Sequence, residues 1–283
     1  VNLINAEVPR REMVRNLSDE DYFNHAGLSH SAMKRLHPRP AHFLAPEEEE
    51  EDKPTAPALA LGSLTHTLTL EPGHRLPKIA IRPKGMAFTN AIGKAWRDEQ
   101  EGMGMTIVTQ AEYDAAVGGA RNIARHPLAN LLLRAGHSEV SYFDVRSTPY
   151  GEVAIKGRVD FVPDNSDFLV ELKTALDASP AGFSKAAAER RYFAQAVHYL
   201  DLHNALCPDD QRNEMIYFAV EKRPPYLVAC YRLSPDFVHL GRQAIATDIE
   251  TFARCTTTGE FEGYDQGPLE ISPPHWFAQK QLL

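Results

Sequence analysis

The chain has 283 residues, 43% of them hydrophobic and 24% charged, which fits one large globular domain and contains no apolar stretch long enough to span a bilayer. The formal net charge is −8, but six of the negative charges sit in residues 47–52; setting them aside leaves −2, so the balance does not exclude a nucleic-acid partner. Cys207, Cys230 and Cys255 are widely spaced and form no C-x-x-C pair, which argues against a zinc or iron–sulfur site and suits a reduced, cytoplasmic setting.

Residues 1–24 read as a polar N-terminal extension, and the first fifteen lack the pattern of a signal peptide. Residues 28–36 predict a short helix, with Ser29 as N-cap and Pro38 and Pro40 as its stop. His37 and His42 flank prolines and read as loop residues. The acidic, proline-bearing stretch 45–57 predicts a solvated loop. Residues 58–70 predict a second helix with Leu61, Leu64 and Leu68 at three-to-four spacing, closed by Glu71-Pro-Gly. A strand at 78–82 follows, then helices over 89–101 and 110–126.

The texture then changes. Residues 140–145, 153–162 and 168–173 are strand-like runs joined by turns. Residues 184–206 predict one long helix, 215–221 and 226–233 a hairpin about Pro224-Pro225, and 235–256 a final amphipathic helix. There is no internal repeat. This order predicts a mixed α/β (α+β) fold, a central mixed β-sheet flanked by helices, with residues 1–283 as a single domain.

Two of the strand-like runs carry the chemistry. Gly157-Arg-Val-Asp-Phe-Val-Pro contains Asp160, and Phe168-Leu-Val-Glu-Leu-Lys-Thr contains Glu171 and Lys173. Side chains alternate along a strand, so Glu171 and Lys173 share a face, and a hairpin would let Asp160 meet Glu171 across the ladder. Two carboxylates and an ammonium on one patch suit a hard divalent cation and a water molecule, the requirements of phosphodiester hydrolysis. An E-x-K triplet alone says little, since Glu51-Asp-Lys53 matches it too. The apolar neighbours Phe161, Val162, Leu169, Val170 and Leu172 imply a buried sheet, where unpaired charges are costly.

Two helical pairs stand beside this patch. Gly62 and His66 lie four apart on one helical face. A mid-helix glycine costs about 1 kcal/mol against alanine, so a closely packed neighbouring helix, a metal or a nucleic-acid backbone would need the space. His66 is a candidate metal ligand. Gln195 and Tyr199 also lie one turn apart; taken alone they read as the polar face of an amphipathic helix. No P-loop, G-x-S-x-G or G-x-G-x-x-G is present.

Together, Gly62–His66, Asp160, Glu171–Lys173 and Gln195–Tyr199 resemble the PD-(D/E)XK nuclease superfamily and its RecB-like exonucleases, in the order G-x-x-x-H, Asp, E-x-K, Q-x-x-x-Y. The likeness is nearest to the catalytic domain of exonuclease VIII (RecE-like), through Leu28-Ser-His-Ser-Ala-Met-Lys-Arg-Leu, Pro40-Ala-His-Phe-Leu, Leu61-Gly-Ser-Leu-Thr-His, Gly93-Lys-Ala-Trp and Gly157-Arg-Val-Asp. Val159-Asp160 stands where the family has Pro-Asp.

The resemblance implies a restriction-endonuclease-like core. It implies a Mg²⁺-dependent exonuclease, with Mn²⁺ as a substitute, that digests linear double-stranded DNA 5′→3′ and leaves 3′ single-stranded tails for recombination. It implies His66, Asp160, Glu171 and the Leu172 carbonyl as metal ligands, and Asp160, Glu171, Lys173, Gln195 and Tyr199 as the catalytic set. It implies a homo-oligomer, typically a tetrameric ring, and a RecT-like single-strand annealing protein as partner. DNA contact would fall to local cations among Lys34, Arg35, Arg39, Lys156, Arg158, Lys185, Arg190 and Arg191; Ser29, Lys34, Arg35, Arg158, Arg190 and Arg191 are the candidate DNA-binding residues. The competing readings are an endonuclease, a Cas4-like end-trimming nuclease (whose four clustered cysteines are missing) and a DNA-binding scaffold with a decayed site.

Overall fold

The computed structural model describes residues 11–45, 56–70, 78–264 and 267–273, with the backbone alone for residues 56–60. The expected acidic loop lies almost wholly outside the described residues, as do the first ten residues of the expected extension.

In chain order the elements begin with β1 (Glu12–Val14), α1 (Asp19–Asn24), α2 (His30–Lys34) and a 3₁₀ turn at Pro40–Leu44. Next come α3 (Ala56–Leu70), β2 (Ile79–Ile81), α4 (Ala91–Gly102), β3 (Thr106–Val108), α5 (Gln110–Arg125) and α6 (Pro127–Leu132). The second half comprises β4 (Gly136–Thr148), β5 (Gly151–Pro163), β6 (Phe168–Ala175), α7 (Pro180–Glu189), α8 (Tyr192–Leu206), β7 (Glu214–Glu221), β8 (Val228–Arg232) and α9 (Pro235–Thr258).

Six strands form the central sheet in the order β1-β4-β5-β6-β7-β8. Every neighbouring pair is antiparallel except β6–β7, which is parallel and joined through α7 and α8. The sheet is therefore mixed, as expected. The strand β1 was not foreseen: part of the presumed extension adds an edge to the sheet by pairing Met13 with Tyr142. A small parallel pair, β2–β3, stands apart from it.

Helices cover both faces, and β7 shows why. Its residues alternate, with Met215, Tyr217 and Ala219 in the core formed with α8 and α9 and Ile216, Phe218 and Val220 in the core that holds Ile123, Ala129 and Leu132 of α5 and α6. A third apolar cluster joins Leu61 and Leu64 of α3 to Val108, Ala115 and Ala116.

Caps fix most helix starts where the sequence suggested. Ser29 accepts from Ala32 N–H at 3.2 Å, Ser234 opens α9, and Thr109 with Glu112 makes a reciprocal capping box on α5. Two expectations are corrected. His42 belongs to the 3₁₀ turn rather than to a loop. The single helix expected over 184–206 is two helices, because Arg191 adopts a left-handed backbone (φ 57°) between α7 and α8. No glycine or proline marks that break. Tertiary contacts hold it instead: Arg191 pairs with the buried Asp248 of α9 at 2.5 Å, Asp248 also holds His37 at 2.8 Å, and Tyr217 Oη donates to the Tyr192 carbonyl at 2.7 Å.

Candidate active site

The β5–β6 hairpin places the acidic residues side by side. Phe161 pairs with Val170, so one step along the antiparallel ladder sets Asp160 opposite Glu171. The usual alternation slips here: Val159 and Val162 both face the α8 side of the sheet, although three positions separate them. The slip lets Asp160 turn toward Glu171 while Phe161 enters the opposite core.

Hydrogen bonds then tie three elements together. The Leu172 N–H donates to Asp160 Oδ2 at 2.7 Å. The Leu172 carbonyl lies 2.9 Å from His66 Nε2 of α3, and His66 Nδ1 lies 3.5 Å from Asp160 Oδ2. A carbonyl only accepts, so Nε2 carries a proton, and Nδ1 is the ring nitrogen turned toward Asp160. Glu171 Oε1 accepts from Lys173 Nζ at 2.6 Å and from Gln195 Nε2 at 2.9 Å, and Gln195 Nε2 reaches Tyr199 Oη at 3.2 Å. Lys173 Nζ sits 4.8 Å above the Tyr192 ring. Gln195 and Tyr199 are thus buried against the acidic pair rather than lying on an exposed helix face.

This arrangement is electrostatically costly in the absence of a cation. Burial raises the Asp160 carboxyl to about 6, against opposing pulls from Lys173, the Leu172 N–H and Arg158. Burial, reinforced by Asp160, raises Glu171 to about 7. Burial alone would lower the Lys173 pKa; the Glu171 and Asp160 carboxylates more than offset it, and the pKa is raised. Glu171 Oε2 is buried with no hydrogen-bond partner among the described residues, and so is Gln195 Oε1. Two carboxylates, one with an orphaned oxygen, and an imidazole nitrogen fit a divalent cation with oxygen-rich coordination. The side chains of Asp160 and His66 keep 12% and 24% of their surface exposed against 2% for Glu171, so the site opens on the Asp160–His66 side.

Gly62 now has a reading. A Cβ added there would meet only Thr174 Oγ1, at an ordinary 3.9 Å, so close helix packing does not require the glycine. Gly157 differs: its Cβ would lie 2.8 Å from Leu202 and 2.9 Å from the Tyr199 ring, so the bare backbone of β5 lets that ring approach.

One acidic residue escaped the sequence reading. Glu139 of β4 lies between the pairs Ser138–Phe161 and Val140–Val159, which puts it across the ladder from Asp160. Its backbone is left-handed (φ 50°), and ligand atoms of Glu139, Asp160 and His66 all lie within 4.8 Å of one another. No motif flags Glu139. Counting equal steps outward from the turn at Pro149-Tyr150 would have paired it with Asp160.

The proposed DNA contacts divide. Ser29 caps α2, and Lys34 and Arg190 are exposed. The other guanidinium groups are engaged within the protein. Arg35 donates to the Phe43 carbonyl at 2.8 Å and to that of Ala45. Arg158 pairs with Asp19 at 2.5 Å and stacks 4.0 Å over the Tyr22 ring, and Arg191 is held by Asp248. Lys156 is buried and donates to the carbonyls of Tyr22 and His25 at 2.8 and 2.6 Å, which removes it from the available cations. Lys34 and Lys173 both help to push the buried His30 well below its ordinary pKa, after burial itself, so α2 lies within electrostatic reach of the site.

Residues 29–266 match the family described as a PDDEXK-like domain of unknown function, DUF3799. The chain belongs to this PDDEXK-like family. No curated protein matches it. The crystal structure of a protein from Eubacterium rectale, described as a "putative exonuclease", is similar with a TM-score of 0.59 at 11% identity, covering 94% of this chain and 98% of that one. At that identity the likeness concerns the fold alone. The crystal structure of SSO0001 shows 14% identity over 65% of this chain and 85% of that one, but its TM-score of 0.29 carries no argument. This PDDEXK-like nuclease domain places its Asp, E-x-K, histidine and Q-x-x-x-Y residues in one hydrogen-bonded cluster. Among the described residues, no helix is long and apolar enough to cross a membrane.

Proposed function

We infer that this nuclease domain is a Mg²⁺-dependent exonuclease acting in the cytoplasm on linear double-stranded DNA. The observation that carries this reading is the convergence of Asp160, Glu171, Lys173 and His66 from three elements on one partly open, carboxylate-rich pocket. Mn²⁺ would serve in place of Mg²⁺. Digestion 5′→3′, 3′ single-stranded tails for recombination, a tetrameric ring and a RecT-like annealing partner are supported by the likeness of the motifs to RecE-like exonucleases.

Asp160, Glu171, His66 and the Leu172 carbonyl would hold the cation. When bound, it supplies positive charge that polarises a phosphate oxygen and acidifies water. The chain's own groups do the positioning. Lys173 fixes the Glu171 carboxylate and presents an ammonium beside it, which suits orienting the attacking water and offsetting charge on the phosphate in flight. Gln195 holds the same carboxylate from α8, and Tyr199 holds Gln195. Lys34 and Arg190, both exposed, are among the cations that would meet the DNA backbone.

The test is incubation with Mg²⁺ and linear duplex labelled at either end, beside closed circular duplex. Loss of the linear form alone, beginning from the 5′-labelled terminus, is the expected result. Cutting of closed circles would assign an endonuclease, and tight binding without cutting in Mg²⁺ or Mn²⁺ would assign a scaffold.

A further inference from the structure

Helix α8 starts where no local signal places it. Among the described residues, α1, α2, α4, α5, α6, α7 and α9 each begin at a side chain that accepts a first-turn N–H. The N-cap of α8, Arg191, makes no such bond and takes a left-handed backbone. A residue other than glycine keeps that conformation only where its surroundings over-determine it. Helix α9 constrains it at two points on one face, Gly241 and Asp248. A Cβ at Gly241 would lie 2.5 Å from the Phe193 carbonyl oxygen and 2.8 Å from Val197, so the bare backbone of α9 presses on the first turns of α8. Two turns further along α9, the buried Asp248 accepts from the Arg191 guanidinium through Oδ2 at 2.5 Å. Arg191 Nε is buried with no hydrogen-bond partner among the described residues, which leaves Asp248 as the compensating group.

From Arg191 the hydrogen bonds run on into the site. Its carbonyl accepts from the Gln195 N–H at 3.1 Å, and Gln195 Nε2 donates to Glu171 Oε1 at 2.9 Å. The second oxygen of Asp248, Oδ1, lies 2.8 Å from His37 Nε2, and the His37 N–H donates to the Lys34 carbonyl at the end of α2. We propose that Asp248 is a positioning residue for cleavage: by holding Arg191 in the left-handed turn that starts α8, it sets Gln195 against Glu171. Were Arg191 to relax into the helical region, α7 and α8 would run on as one helix, and α8 would lose the angle at which Gln195 meets the carboxylate. Arg191 thereby leaves the set of DNA-contacting cations for a task inside the fold. This assignment rests on the nuclease reading and adds to it a residue outside the acidic cluster.

The experiment measures single-turnover cleavage of linear duplex in Mg²⁺ by wild type, Asp248→Asn, Gln195→Ala and the double variant, with DNA affinity read in the absence of metal. Asp248→Asn is expected to slow cleavage by about 10–100-fold while DNA affinity moves by no more than about 2-fold. In the Gln195→Ala background the same substitution should change the residual rate by no more than about 2-fold, because its effect passes through Gln195. Arg191→Gln leaves Asp248 its contact with His37 and supplies a second variant, with the same expected pattern, if the asparagine form fails to fold as judged by circular dichroism. Unchanged cleavage in folded Asp248→Asn or Arg191→Gln would overturn the proposal and leave the nuclease reading standing. A slowing as large in the Gln195→Ala background as in wild type would also overturn it, reducing Asp248 to support of the fold. Weakened DNA binding with cleavage unchanged at saturation would overturn it too, and assign Asp248 to α2. Wild-type protein that cleaves no DNA in Mg²⁺ or Mn²⁺ would overturn both readings.

Discussion

Lys173 Nζ and Glu171 Oε1 are 2.6 Å apart, on one face of the central strand β6. The ammonium is thereby tied to the carboxylate it serves, and Gln195 holds the same oxygen from the opposite element. Replacing Lys173 with alanine removes the ammonium beside Glu171, which the proposed function sets against the phosphate, but leaves the exposed Lys34 and Arg190 in place. Lys173→Ala is expected to lower turnover by about 10²–10³-fold while changing DNA affinity only a few-fold. Single-turnover cleavage, together with fluorescence anisotropy in the absence of metal, separates the two effects.

Cation binding should release protons, and the release should depend on pH. Asp160 is raised to about 6 and Glu171 to about 7, burial being the main cause in each. Near pH 5 both carboxyls of the metal-free protein are largely protonated, so a cation must displace close to two protons. Near pH 8 it displaces almost none. Metal affinity should therefore climb with pH through about 7 and level off near pH 8, where both groups are ionised. A raised carboxyl also stabilises the fold at low pH and loses that contribution as pH rises through its folded pKa. The metal-free protein should weaken between pH 5 and 8, and added Mg²⁺ should reverse the loss. Calorimetry in buffers of different ionisation enthalpy counts the protons, and melting curves with and without Mg²⁺ check the stability.

His198 works in the opposite direction over the same range. It is buried in α8, where Nε2 donates to the Lys156 carbonyl at 3.0 Å, and burial lowers its pKa to about 4. The unfolded chain takes up this proton near the ordinary histidine value while the folded chain does not. Its contribution is therefore complete above about pH 6.5 and is lost as pH falls toward 4, amounting to about 3 kcal/mol at the limit. His198→Gln should flatten the acid side of the stability profile, as read from urea midpoints between pH 4 and 7.

Gly157 offers a test of the Tyr199 contact. A methyl group there would meet the Tyr199 ring at 2.9 Å and Leu202 at 2.8 Å. Gly157→Ala should cost about 1–3 kcal/mol in stability and, by pushing Tyr199 away from Gln195, lower turnover more than DNA binding. Urea denaturation and single-turnover kinetics provide the two readings. Equal activity at full stability would mean that Tyr199 has room to shift without consequence.

Local signals made much of this architecture legible. Helices α5 and α9 begin at side chains that cap them, Thr109 and Ser234, and the apolar runs of β4 to β7 fall where branched and aromatic residues accumulate. Asp160, Glu171 and Lys173 were readable because strand alternation is a local rule. What stayed hidden depends on partners far along the chain. The break at Arg191 is set by Asp248, 57 positions away, with no glycine or proline to announce it. By spacing alone Gln195 and Tyr199 read as a polar helix face, and only the resemblance joined them to the acidic pair against which the fold buries them. Glu139 needed a register count across a hairpin, and Lys156 looked available until the Tyr22 and His25 carbonyls enclosed it.

The position of β6 has a consequence of its own. It is an interior strand, hydrogen-bonded to β5 on one side and to β7 on the other, with Leu169, Val170 and Leu172 all buried. Amides in such a strand exchange with deuterated solvent only when the molecule opens as a whole. Warming should therefore loosen β1 at the sheet margin and the small β2–β3 ribbon well before Glu171 and Lys173 move. Glu171 and Lys173 ride on what should be the last piece of the molecule to melt.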